Sequence, residues 1–185
     1  MPVPPPTKRL SITRAGKSIA LLVPKPVILV DTREQDPFSF SGFSNWISGV
    51  EIRTLATGDY SVAGMETLVA LERKSLPDLV ASLTAHRQRF LRECERLSQF
   101  THKAILVEAT YEQVKSPYHE YTRAHPNAIA GSLDAIEARW GIHVIYTSDS
   151  RKLAEEKAAS WLSKLYTYWW LETHGYGRVL QEGDL

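Results

Sequence analysis

Only one cysteine, Cys94, stands in the 185 residues. A lone thiol excludes an internal disulfide and any Cys-rich zinc site. Its place in a helical pattern predicts a buried, inert side chain, in keeping with a reducing compartment. Long apolar runs are missing as well. No stretch approaches the ~18 apolar residues that span a bilayer, and the chain opens on Pro-rich polar sequence where a signal peptide would be apolar. The protein is expected to be soluble and cytoplasmic, with no membrane partner. The six histidines show no metal-ligand spacing, which removes a His-based zinc centre. Acid is absent from the first thirty positions, which hold Lys8, Arg9, Arg14, Lys17 and Lys25; the rest of the chain carries −4 against a whole-chain charge of +1. A basic arm ahead of an acidic domain is a signature of polyanion binding.

What is present reads as one domain with an appendage. Residues 1–25 form a basic, Pro-rich arm, because "PVPPP" fixes φ and removes backbone donors. The arm is expected to be disordered or loosely docked, with room for one short strand at "SIALLV". The domain proper spans 26–185. "VILVD" (27–31) is a continuous apolar run, as in a strand buried on both faces. "VEIRTLA" (50–56) alternates, and "DYSVAG" with "ETLVALERK" reads as a hairpin turning at Gly64-Met65. The period then becomes helical at "SLPDLVASL", with Ser75 as N-cap. A second helix near 86–99, a strand at 103–110, a helix near 127–139 stopped by Gly141 and a strand at 142–147 follow. Ser148 or Asp149 is expected to cap a last helix reaching Thr173. The order predicts an α/β fold with a mixed central sheet flanked by helices.

The chemistry concentrates at one sheet edge. Asp59 sits in a turn, and Glu72 and Lys74 lie two apart on the following strand, so they leave it on one face. Two carboxylates make a hard oxygen site suited to Mg²⁺, with Mn²⁺ as a substitute. A lysine beside such an ion can orient or deprotonate a water. Arg73 points to the other face. Asp31 closes a neighbouring strand and adds a third candidate ligand, while Arg33 and Glu34 follow in the turn; a guanidinium there suits phosphate. Asp78 either supports the helix dipole or partners Arg73 or Lys74. Taken singly, each of these residues reads as an ordinary turn, strand-end or helix-start residue.

Together they form an ordered set. "VDTRE", "GDY", "ERK", Asp78 within "DLVASL", and "RFLREC" resemble the signature of the XPF family of structure-specific DNA nucleases, over roughly residues 27–150. The resemblance implies a restriction-endonuclease-like core and metal-dependent hydrolysis of DNA phosphodiesters, on branched or otherwise structured DNA, in repair, recombination or replication. It implies Asp59 and Glu72 as metal ligands with help from Asp31, Lys74 as catalytic lysine, and Asp31, Arg33, Glu34, Arg73 and Asp78 as motif positions. Arg33, Arg89, Arg87 and His86 are the DNA-contact candidates. A catalytically silent DNA-binding or scaffold subunit, or an exonuclease or recombination nuclease on the same fold, is the alternative; the silent kind typically lacks the acids retained here. No counterpart of the family's tandem helix-hairpin-helix domain is read in the sequence.

The last helix, "LAEEKAASWLSKLYTYWWLETHG", should pack Leu153, Ala154, Ala158, Trp161, Leu162, Leu165 and Trp169 on the sheet. Tyr166 and Trp170 then leave on another side. A helix apolar nearly all round is buried all round, so a homodimer through Tyr166 and Trp170 is expected, the alternative being that the N-terminal arm folds over them.

Overall fold

The computed structural model describes residues 5–14, 16–118 and 124–176. The start of the Pro-rich stretch and His119 lie outside them. The strands are β1 (Thr7–Arg14), β2 (Lys17–Pro24), β3 (Val27–Asp31), β4 (Gly49–Arg53), β5 (Tyr60–Val62), β6 (Val69–Ser75), β7 (His102–Glu108) and β8 (His143–Tyr146). The helices are α1 (Leu76–Leu83), α2 (Arg87–Leu97), α3 (Tyr111–Val114), α4 (Pro126–Trp140) and α5 (Arg151–Thr173). Strands β3 to β8 form one mixed sheet in the order β4-β3-β5-β6-β7-β8. Its outer pairs, β3 with β4 and β6 with β7 and β8, are parallel, whereas β5 runs antiparallel to both its neighbours.

Period-two alternation in β6 sorts its side chains between two cores. Ala70 joins Leu79, Phe90, Cys94 and Leu133 under α1, α2 and α4. Val69 and Leu71 join Phe38, Phe40, Tyr60, Ala158 and Leu162 on the α5 side. By the same parity Glu72 and Lys74 face the first layer and Arg73 the second. Cys94 is buried, and burial pushes its thiol up to about 12. It is an inert core residue.

Three expectations change. The N-terminal arm is an antiparallel ribbon, Thr7 paired with Pro24 through Arg14 with Lys17. Pro5 and Pro6 precede its first strand and Pro24 closes its second, and Lys8 Nζ donates to Ser163 Oγ at 2.9 Å, which fixes the ribbon against α5. The N-cap of α5 is Ser150 rather than Ser148 or Asp149; the Ser148 hydroxyl instead accepts from the Ser150 N–H at 2.9 Å. Leu153, placed on the inner face, is 53% exposed, because the α5 contact stripe runs through Ala154, Ala158, Ala159, Leu162, Ser163, Thr167 and Leu171. Small residues let α5 lie close on the sheet, while Trp161, Leu165 and Trp169 pack at the margin. Tyr166 lies against Trp169, and Trp170 stacks on His174 at 4.1 Å, with Tyr176 beyond.

Candidate active site

Asp59 reaches β6 because the chain turns tightly before it. Gly58 has φ +81°, and a Cβ there would meet Leu71 O at 3.2 Å, so glycine is required by both conformation and space. The Asp59 N–H donates to Leu71 O at 2.9 Å, and Asp59 Oδ2 accepts from the Arg73 N–H at 2.7 Å. Those two bonds seat the carboxylate beside Glu72. Glu72 is 3% exposed, and its Oε1 accepts a charge-assisted bond from Lys74 Nζ. Burial first, and then the charge of Asp59, pushes the Glu72 carboxyl well above its ordinary range. Burial also raises Asp59, against the Arg73 N–H and Lys74. Lys74 would be lowered by burial, but Glu72 and Glu93 outweigh that and hold its amine charged.

These groups floor a cleft of about 560 Å³. Acids (Asp31, Asp59, Glu72, Asp78, Glu93) and bases (Arg33, Lys74, His86, Arg89, Arg96) line it together. Asp59 Oδ1 and Glu72 Oε2 carry no hydrogen bond among the described residues. An unpaired oxygen on a buried carboxylate is costly unless something cationic completes it. The pair thus fits a hard divalent ion, which commonly takes one or two protein carboxylates and leaves its other positions to water and phosphate.

Asp31, the third candidate ligand, has both its oxygens occupied. Its Oδ1 takes Arg33 Nε at 2.6 Å and the Arg33 N–H at 2.9 Å; its Oδ2 takes Arg33 Nη2 at 3.1 Å and the Leu55 N–H at 2.7 Å. Burial pushes its carboxyl up, but the Arg33 side chain and the N–H groups of Leu55 and Arg33 outweigh it and leave it low. Among the described residues no three of His, Cys, Asp and Glu converge as a metal cluster. Asp31 is an anchor for Arg33, whose side chain, 65% exposed, is held over the cleft.

The chain matches the ERCC4-domain family over residues 30–159, which takes in every site residue from Asp31 to Arg96. It belongs to the ERCC4-domain family. Two solved structures share the fold: XPF from Aeropyrum pernix, at 23% identity and TM-score 0.62 over 85% of this chain, and XPF from Aeropyrum pernix in complex with DNA, at 24% and 0.60 over 77%. A Methanocaldococcus jannaschii protein named as an ATP-dependent RNA helicase is 26% identical over 132 residues, 71% of this chain. This ERCC4 chain spans 66% of each XPF chain and 15% of the helicase-named protein. The resemblance read from the sequence and the mixed α/β fold both stand.

Not every motif residue of the ERCC4 domain enters the cleft. Arg73 lies on the far face of β6, its Nε on Glu108, its Nη1 donating to Asp36 O at 2.7 Å and 3.6 Å from Glu34, with the guanidinium 4.5 Å from the Phe38 ring centroid. Glu34 is drawn there with it. Period-two parity places Arg73 on the face opposite Glu72, whereas Glu34, in the turn after β3, is near enough for its charge to raise Asp59. Asp78 lines the cleft but closes a local loop with Ser75, whose hydroxyl donates to Asp78 Oδ2 at 2.7 Å and accepts from the Asp78 N–H at 3.3 Å. It is the helix-start acid. Arg87 points away, donating to Ser132 Oγ at 3.1 Å and so tying α2 to α4. His86 and Arg89 do line the cleft.

Two residues escaped the sequence reading. Glu93 lies 4.0 Å from Lys74 Nζ, and Arg96 Nε lies 3.4 Å from Thr57 Oγ1. Helical spacing held the signal: positions 86, 89, 93 and 96 share one face of α2. Charges at that spacing also suit a solvated helix face.

Proposed function

We propose that this ERCC4 domain is a Mg²⁺-dependent DNA endonuclease that hydrolyses phosphodiesters of branched or otherwise structured DNA in repair, recombination or replication. The observation that carries the reading is the pair of unpaired carboxylate oxygens, on half-buried Asp59 and buried Glu72, in a cleft that Arg33, His86, Arg89 and Arg96 also line. Asp59 and Glu72 would hold the metal, with Mn²⁺ as a substitute. When bound, such an ion polarises the phosphoryl oxygen and lowers the pKa of a bound water. The chain's own groups divide the rest of the work. Lys74, kept charged by Glu72 and Glu93, orients the attacking water and offsets charge on the phosphate. Arg33, His86, Arg89 and Arg96 grip neighbouring phosphates, and Arg33 is pre-set for this by Asp31. DNA binding by an XPF relative supports the substrate class.

The test is cleavage of labelled linear and branched DNAs by the chain, with Mg²⁺ and with chelator. Cutting that needs the ion and disappears in Asp59→Asn supports the proposal. DNA bound but never cut, under any divalent ion, favours the silent subunit. Pairing of two copies over Tyr166 and Trp170 belongs to the same reading, although both residues are already partly buried within the chain. Sedimentation of the chain and of Tyr166→Ser/Trp170→Ser checks it: a dimer that dissociates in the variant supports pairing, and a monomer throughout refutes it.

A further inference from the structure

Where the N-terminal ribbon meets α5, a second cleft of about 230 Å³ opens on the opposite side of the sheet from α1 and α2. Leu10, Trp46 and Tyr168 form apolar walls, and Lys8 and Lys164 stand at its rim. Lys8 Nζ donates to Ser163 Oγ, and that hydroxyl donates to Trp46 O at 3.1 Å. Lys164 Nζ donates to Ser160 Oγ at 2.7 Å and lies 6.0 Å from the Trp46 ring centroid. Lys25, near enough to act on Lys8, donates to Ser44 O at 2.7 Å. All three ammonium groups therefore rest on neutral oxygens. No carboxylate among the described residues pairs with any of them. Burial first, then Lys164 and Lys25, pushes the Lys8 amine down to about 8. A half-buried cation beside two others is stabilised by an anion from outside.

The shape narrows the class of anion. The cleft is smaller than the ~300–1,000 Å³ of a drug-sized site, which leaves room for about one large side chain. A nucleic-acid strand is gripped along an extended basic track with successive stacking platforms, whereas here two lysines share a small cleft with Leu10, Trp46 and Tyr168. We propose that this cleft docks an acidic peptide of a partner protein, with an apolar side chain between Leu10, Trp46 and Tyr168 and carboxylates at Lys8 and Lys164.

The probe is a fluorescein-labelled peptide, Asp-Asp-Asp-Leu-Phe with a free carboxyl end, followed by anisotropy against the full chain. Saturable binding is expected, weakened about tenfold or more in Lys8→Ala/Lys164→Ala, a loss of about 1.4 kcal/mol. Ser160→Tyr keeps both lysines but fills the cleft, and should weaken binding to a similar degree. Thermal melts establish that each variant is folded, and neither touches the carboxylate cleft. Binding that survives both substitutions, or a peptide with Asn in place of Asp that binds equally well, overturns the proposal. So does a single-stranded oligonucleotide that displaces the peptide and loses affinity in the same variants, since that would make the cleft a nucleic-acid site.

Discussion

The two faces of β6 differ in how completely their charges are satisfied. On the face toward α2, Asp59 and Glu72 crowd two negative charges together and leave one oxygen of each without a partner. On the other, Arg73 is saturated: Glu108, Glu34, Asp36 and the Phe38 ring all meet it, and Arg151 clasps the same Asp36 and Phe38 from α5. Neighbouring residues of one strand thus serve opposite ends. The satisfied face holds the strand in place; in the proposed function the unsatisfied one reserves valence for a ligand. Buried polar groups are normally paired, so incomplete pairing beside complete pairing is what the proposed function rests on.

The largest effect should come from the unsatisfied face. Asp59→Asn or Glu72→Gln is expected to lower cleavage by ~10³-fold or more, equivalent to about 4 kcal/mol of transition-state stabilisation. Asn at 59 can still accept from the Arg73 N–H, so its metal-free melting temperature should equal or exceed that of the wild type. A variant that cuts at a near wild-type rate in Mg²⁺ removes the metal assignment. On the satisfied face the balance reverses. Arg73→Ala strands Glu108 and Glu34 and should cost about 3 kcal/mol of stability, read as a lower urea midpoint. An Arg73→Ala chain as stable as wild type would mean the clamp does not hold the strand.

The pH dependence of stability sharpens the contrast. Asp59 and Glu72 keep their protons to higher pH in the folded chain than in the unfolded one. Between the ordinary carboxylate range, about 4, and those raised values the native state binds more protons, so stability falls as pH rises. Asp31 runs the other way: its lowered carboxyl stabilises the fold above the ordinary range, and that stability is lost only as pH falls through its folded value. In chelator, therefore, melting should be higher at pH 5.5 than at pH 8, by about 2–4 °C for each kcal/mol regained. Asp59→Asn should flatten that slope, and Mg²⁺ should raise the melting temperature at pH 8. A flat wild-type profile would show that the two charges do not repel.

How much of this was legible depended on whether the deciding contact was local. Strand parity is local, and it placed Glu72 and Lys74 together and Arg73 apart before any coordinates. The Ser75 cap and the Gly141 stop were local as well, and both formed. So was the Thr110–Gln113 capping box that starts α3, a signal present in the sequence but passed over. The fate of Asp31 was not local, because the N–H that takes its second oxygen belongs to Leu55, 24 residues away. Nor was the arm: prolines argued against order, and only contact with Ser163 on α5 shows why a ribbon forms. Glu93 and Arg96 lay hidden because charges three and four apart on a helix read equally well as a solvated face.

The smallest expected effect tests that last ambiguity. On α2, Arg89 and Arg96 face the cleft, while Arg87 faces Ser132. If cleft arginines meet phosphates, each neutralised phosphate releases condensed counterions, and log affinity falls with log salt by a slope of about 0.9 per contact on duplex DNA. Arg89→Ala and Arg96→Ala should each make that slope shallower by about 1. Arg87→Ala should leave it unchanged, although it removes the same charge from the same helix. Net charge alone cannot produce such a split, because all three variants are electrostatically alike at a distance. The measurement is anisotropy of a labelled duplex in chelator across a salt series, where cleavage does not intervene. Equal shifts for all three would mean that DNA feels only the bulk charge of α2, and the phosphate roles of Arg89 and Arg96 would be lost.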